Sequence, residues 1–268
     1  MDSNHNKMGD RRPTVPKERN FAGFEVKLAT SLGSIQGRVT IYTGPMGLVD
    51  LVPTAYELTN ILVHRSVKRE EEAGRLISCR SQCGVCCRQM VPLSPPEAFY
   101  LADLIDSLDS DLRKELFRQF DAITGQLRYH DMINELLSPE YSDDPALAIA
   151  RQYFQFQLDC PFLVDQSCSI YPHRPVACRE YNVSSPAAWC ADPYAHDIAK
   201  VPMPLPLSAP LARLTARLNG CKPRLIPLTL VPLWVAEHDD LRQKKWPGLQ
   251  LFQEFMDEVG KSPQPNKC

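Results

Sequence analysis

No segment of this chain approaches the ~20 consecutive apolar residues that a membrane-crossing helix needs. The most apolar stretch, Leu228 to Ala236, is short and broken by Pro232. Met1 to Asn20 is polar and charged and holds no apolar run of the kind a secretory signal carries. The expectation is a soluble, cytoplasmic protein with no membrane partner. One-sided charge is missing too: 30 basic residues against 32 acidic ones leave a formal charge of −2. With no basic stripe there is no electrostatic footprint for nucleic acid. Glycine is scarce, 12 residues against 24 prolines, and no two glycines are adjacent. A glycine-rich loop after a strand, which lets the backbone approach a dinucleotide or similar cofactor, is therefore not found. No Ser-His-Asp set, paired-carboxylate constellation, internal repeat or low-complexity segment stands out.

What the chain does have is cysteine, ten in all. Eight of these fall in two clusters. Cys79, Cys83, Cys86 and Cys87 lie within nine residues, and Cys160, Cys168, Cys178 and Cys190 follow at a distance. Cytosolic thiols stay reduced, so clustered cysteines there read as ligands and not as disulfides. Arg80, Gln82 and Arg88 among the first four make an apolar core segment a poor explanation. Thiolates two or three residues apart can bend around one centre, which makes a soft site for zinc or an iron–sulfur cluster. Three close cysteines completed by a distant Cys160-Pro161 fit the outline of ferredoxin-type ligation, so a cluster, [4Fe–4S] in type, is the expected cofactor, with zinc as the alternative. Eight thiols exceed one four-coordinate site, leaving two sites, or one site plus spare thiols.

Arg174 and Arg179 flank Cys178, and a guanidinium beside thiolates would lower their pKa and offset their charge. Both are candidate cofactor-binding residues, with surface ion pairing as the competing reading. His173 is a further candidate zinc ligand, although a surface loop histidine is the simpler reading. Trp189 reads as packing beside Cys190. Cys221 and Cys268 lie outside both clusters.

Periodicity gives a mainly α chain with a small N-terminal β-hairpin and irregular cysteine-rich loops organised around the metal. Residues 1–20 read as a flexible tail and 261–268 as a second one. Between them, 21–260 reads as a single cysteine-cluster domain. Its parts are a hairpin and helix (21–75), a metal-binding core (76–195) and a C-terminal helical part (196–260). Phe24, Val26 and Leu28 alternate, as do Ile35, Val39 and Ile41, with Ser31 to Ser34 as the turn. Thr54 with Glu57, and Ser94 with Glu97, are capping-box spacings that predict two helix starts. The run Arg69 to Glu72 reads as a solvated helix face. Leu112, Leu116, Phe120, Ile123 and Leu127 mark another helix, and Leu147, Ala150, Phe154 and Leu158 a further one. Helices are also expected over 208–218 and 249–259.

Cys83-Gly-Val-Cys86-Cys87, then Cys160-Pro-Phe-Leu, Cys168-Ser-Ile-Tyr and Arg174-Pro-Val-Ala-Cys178-Arg, together resemble the bacterial cysteine-cluster family of zinc- or iron-chelating domains, the YkgJ-type proteins. The resemblance spans roughly 79–190. It departs from the commonest family pattern in the three residues between Cys79 and Cys83. The family includes the longer flagellin lysine N-methylases. The resemblance therefore implies a metal-binding protein in an accessory or redox role, and leaves a protein partner open and unidentified. Its alternative implication is a protein lysine N-methylase-like enzyme. The spacing of Cys79, Cys83 and Cys86 also matches that of radical S-adenosylmethionine enzymes. A helix before the motif, the adjoining Cys87 and the missing Gly-Gly pair argue against that assignment.

Overall fold

The structure, a computed structural model, describes residues 21–137 and 143–261. The expected tail at 1–20, and all but Lys261 of the one at 261–268, lie outside these residues, as does Cys268. The chain starts as a hairpin of β1 (Phe21–Thr30) and β2 (Gly33–Tyr42), paired antiparallel from Phe21↔Tyr42 to Thr30↔Gly33. The turn is tightened by Thr30, whose Oγ1 accepts from the Leu32 N–H at 3.1 Å, and Gly33 supplies a φ of +94°. Register places Phe24, Val26 and Leu28 opposite Val39, Gly37 and Ile35. One face is thus apolar, as the alternation predicts.

That face packs on α1 (Val52–Glu72), which follows a short strand β3 (Pro45–Met46) and a 3₁₀ turn. The expected cap at Thr54 is not where α1 begins. The helix starts two residues earlier, and the preceding 3₁₀ turn is closed by Asp50, whose Oδ2 accepts from the Gly47 N–H at 2.9 Å. Thr54 and Glu57 dock the helix on β2 instead. The Thr54 hydroxyl donates to the Thr40 carbonyl, and Glu57 accepts from the Thr40 N–H. The acidic run at the end of α1 is not wholly a solvated face: Glu70 is buried and bonds both Arg75 Nε and Nη2.

After the first cysteine cluster come β4 (Pro92–Leu93) and α2 (Pro95–Asp106). The capping box of α2 forms as predicted, with Glu97 Oε2 accepting from both the N–H and the hydroxyl of Ser94. Then follow α3 (Ser110–Tyr129), α4 (Ile133–Leu136) and α5 (Asp143–Gln155). Leu116, Phe120, Ile123 and Leu127 are buried on α3, whereas Leu112 in its first turn is exposed. On α5 the buried residues include Ile149 and Tyr153, and Leu147 faces out.

The second cysteine segment carries β5 (Leu163–Val164), β6 (Ser167–Cys168) and the short α6 (Val176–Glu180). The C-terminal part adds α7 (Ser208–Asn219), β7 (Ile226–Pro227), α8 (Val231–Glu237), β8 (Trp246–Pro247) and α9 (Gly248–Gly260). β7 pairs with β4, and β8 with β3. The hairpin, α1, α7 and α9 share one apolar core, so the first and last described elements pack together. A second core, from α2, the start of α3 and α8, lies against Cys160 and Cys168. Among the described residues no helix is long and apolar enough to cross a membrane.

Candidate metal centre

Residues 76–91 form no regular helix or strand, and their path is held by local turns. The Cys87 N–H donates to the Gly84 carbonyl and the Gln89 N–H to the Cys86 carbonyl, both at 3.0 Å. Gly84 lets this turn lie on the β5–β6 hairpin. A Cβ there would meet Leu163 Cδ1 at 2.5 Å and the Gln166 carbonyl oxygen at 2.8 Å. The hairpin turns through Asp165 and Gln166, both with positive φ, the geometry of a type I′ turn. Its pairing sets Leu163 against Cys168, and the Leu163 N–H donates to the Cys160 carbonyl. Cys160 in turn donates its N–H to the Cys87 carbonyl at 2.7 Å, which joins the two cysteine segments. A second seam lies at the other end of the first cluster. The Ser78 N–H donates to the Val183 carbonyl at 2.8 Å, and the Val183 N–H points at Cys79 Sγ at 3.3 Å.

The result is one cavity of about 690 Å³ lined by all eight clustered cysteines. Cys221 is exposed and lies apart from it. Cys190 is buried, and the other seven are partly exposed. Val91, Phe162, Ile170 and Leu228 contribute apolar lining, and Arg174, Gln89, Tyr181 and Lys200 polar lining.

Electrostatics divide the thiols. Burial raises the pKa of Cys160, Cys178 and Cys168, and Arg174 pulls the last two partly back. Burial likewise raises Cys79 and Cys190, which Cys83 and Cys86 push further. Cys86 is raised most, first by its hydrogen bond with Cys87 and then by burial. The arginine effect expected from sequence is present in sign at Cys168 and Cys178, but desolvation outweighs it, so these two metal-free thiols hold their protons at neutral pH. Tyr181, near Cys190, is pushed up to about 12 by burial.

Arg174 lines the cavity, and its Cζ stands 3.8 Å over the Tyr171 ring. Its Nε is buried without a hydrogen-bond partner among the described residues. Arg179 does not line the cavity. Its guanidinium is buried behind the loop, donating to the carbonyls of Arg174 and Pro172 and to Asn60 Oδ1. It lies 4.1 Å over the Tyr56 ring, and its charge still reaches Cys168. His173 also points elsewhere, with Nδ1 2.8 Å from the Tyr100 hydroxyl. Trp189 stacks on His196 at 5.1 Å.

Sequence reasoning passed over three contributors. Glu180 lines the cavity, and burial pushes its carboxyl up to about 8. Glu97 was legible only as the cap of α2, yet its Oε1 also accepts from the Val176 N–H at 2.8 Å and so caps α6. Lys200 is brought in by a bridge to Val183 that no local pattern announces.

Among the described residues, no three His, Cys, Asp or Glu side chains are gathered closely enough to hold one ion as they stand. The donor chemistry nevertheless suits a thiophilic metal: among the described residues eight thiols, two thioethers, a single carboxylate and no imidazole line the cavity. The orphaned Arg174 Nε–H is also placed to serve a negatively charged sulfur. Residues 78–198 match the CxxCxxCC family model, described as "Putative zinc- or iron-chelating domain". Neither a curated protein nor a solved structure matches the chain.

Proposed function

With residues 78–198 identified as a CxxCxxCC domain, a type described as chelating zinc or iron, we propose that the protein carries an iron–sulfur cluster on these cysteines in an accessory or electron-carrying role. The observation that carries this reading is the convergence of both cysteine segments on a single cavity. Chains that need a buried cysteine for packing have no reason to bring eight of them to one opening. The cavity is also far larger than one four-coordinate ion requires, which favours a cluster over a lone zinc.

Such a cluster supplies one-electron exchange when bound. The chain's own residues do the rest. The thiols release protons on binding, and at neutral pH this release sets the affinity. Arg174 balances the charge that the thiolates collect. The apolar lining from Phe162, Ile170 and Leu228 lowers the local dielectric and strengthens that interaction.

The test is purification without oxygen, followed by iron and acid-labile sulfide analysis and a visible spectrum. The expected protein is brown, with a broad thiolate-to-iron band that bleaches with dithionite. A colourless protein with stoichiometric zinc and no sulfide would replace the cluster with structural zinc.

A further inference from the structure

The eight thiols are not one undivided set. Cys79 is tied to the strand-like segment around Val183, and its sulfur neighbours are Cys83, Cys86 and Cys190. Cys160 and Cys168 sit on the β5–β6 hairpin, and Cys178 on α6 directly after it. The leading thiol influences on Cys160 are Cys178, Cys168 and Cys86, those on Cys178 are Cys86 and Cys168, and that on Cys168 is Cys86. Each group also has its own cation. Lys200 acts on Cys190, while Arg174 acts on Cys168 and Cys178. Cys86 and Cys87 stand between, Cys86 adjoining both groups and Cys87 bonded through its backbone to Cys160.

We infer that this cavity is built for two metal centres: one founded on Cys79, Cys83 and Cys190, the other on Cys160, Cys168 and Cys178, with Cys86 and Cys87 supplying one thiolate to each. The inference rests on the metal-binding reading above and goes beyond it by assigning a second site. Three thiols in each group and a vicinal pair at the seam give four to a centre, which is the full complement of a thiolate zinc site or a cubane cluster. A single centre would leave four thiols of the same cavity, and one of the two cations, without a purpose.

Zinc alone is a suitable probe, because its four-thiolate sites saturate at a fixed count. The full chain, reduced and kept from oxygen, would be loaded with excess zinc and desalted. Bound zinc would then be measured together with the number of thiols protected from alkylation, by intact mass. Wild type should hold about two zinc ions and protect about eight thiols. Cys79→Ser/Cys190→Ser and Cys168→Ser/Cys178→Ser should each halve the zinc, and each should still protect thiols of the untouched group. One zinc with about four protected thiols in wild type would overturn the two-centre assignment and leave the chelating role intact. This readout needs no variant to fold. Loss of all zinc from both double variants, with wild-type circular dichroism retained, would likewise mean one shared centre. Failure of the reduced wild-type chain to take up any zinc would overturn the two-centre assignment, while the cluster reading stands or falls on the iron and sulfide analysis above.

Discussion

Glu180 is the carboxylate closest to the chemistry, and it sits there at a cost. Its partner is the Leu207 N–H at 2.8 Å; burial, with a smaller push from Glu97, lifts its pKa to about 8. A carboxyl whose folded pKa exceeds its unfolded one binds protons more tightly when native. Its contribution to stability is whole below the ordinary carboxylate range near 4.5 and is lost as pH rises towards 8. Glu180→Gln keeps an acceptor for Leu207 without the charge. Its melting temperature should exceed that of wild type at pH 8 and match it at pH 4.5. Equal melting curves at both would mean that Glu180 is solvated.

The two arginines separate at the same scale. Arg179→Gln removes a buried cation's hydrogen bonds to the carbonyls of Arg174 and Pro172, so it should destabilise by about 2 kcal/mol or more in denaturant. Arg174→Gln should leave the unfolding midpoint nearly unchanged and lower the midpoint potential of a bound cluster. Removing a cation disfavours the state that carries the extra electron. Sequence placed both residues near Cys178 and leaned only slightly towards Arg174, because spacing does not show that Arg174 in the loop before α6 faces the cavity while Arg179 on α6 turns behind it. Gly84→Ala is a third test. A methyl group 2.8 Å from the Gln166 carbonyl oxygen must push the turn off the β5–β6 hairpin, costing about 1–3 kcal/mol and reducing metal content.

Among the elements, α2 and α6 are joined through one side chain. Glu97 caps the first helix with one oxygen and the second with the other. Glu97→Ala would leave the buried N–H groups of Ser94 and Val176 without an acceptor, at about 1–3 kcal/mol each. Both stability by urea denaturation and metal content should fall, since α6 carries Cys178. Glu97→Gln should recover part of the loss. Half of this device was legible, because the Ser94-x-x-Glu97 spacing is local. The other half spans the distance from Glu97 to Val176, where spacing carries no information. The same limit explains Thr54 and Glu57. Their spacing fits a cap, but the 3₁₀ turn at Asp50 already closes that end, which frees them to bind β2. The hairpin was readable because period-two alternation buries Val26, Leu28, Ile35 and Val39 together, but its turn is tighter than the expected Ser31 to Ser34, since Gly33 and Ser34 already pair in β2.

Across the whole molecule, proton release governs metal uptake. Because burial raises Cys79, Cys160, Cys168, Cys178 and Cys190, a thiolate at any of these five must be made at the metal's expense. Apparent affinity for zinc should rise at least about tenfold per pH unit between pH 6 and 8, one proton released being the minimum. A competition titration with a chromophoric chelator reads this directly, and a flat profile would mean preformed thiolates. The cysteines themselves were plain in the sequence. Their convergence was not, because it depends on the Cys160 to Cys87 and Val183 to Cys79 contacts formed across the intervening helices.

That long separation has a consequence in time. The thiols from Cys79 to Cys87 leave the ribosome roughly a hundred residues ahead of Cys190, which at a synthesis rate of about 5–20 residues per second is a wait on the order of 5–20 s. Throughout it the early four stand without their partners, and the helices α2 to α5 that will bring the partners round are still being made. A centre that draws on both segments cannot close until its later cysteines have emerged, and the cell must keep the nascent early thiols reduced until then.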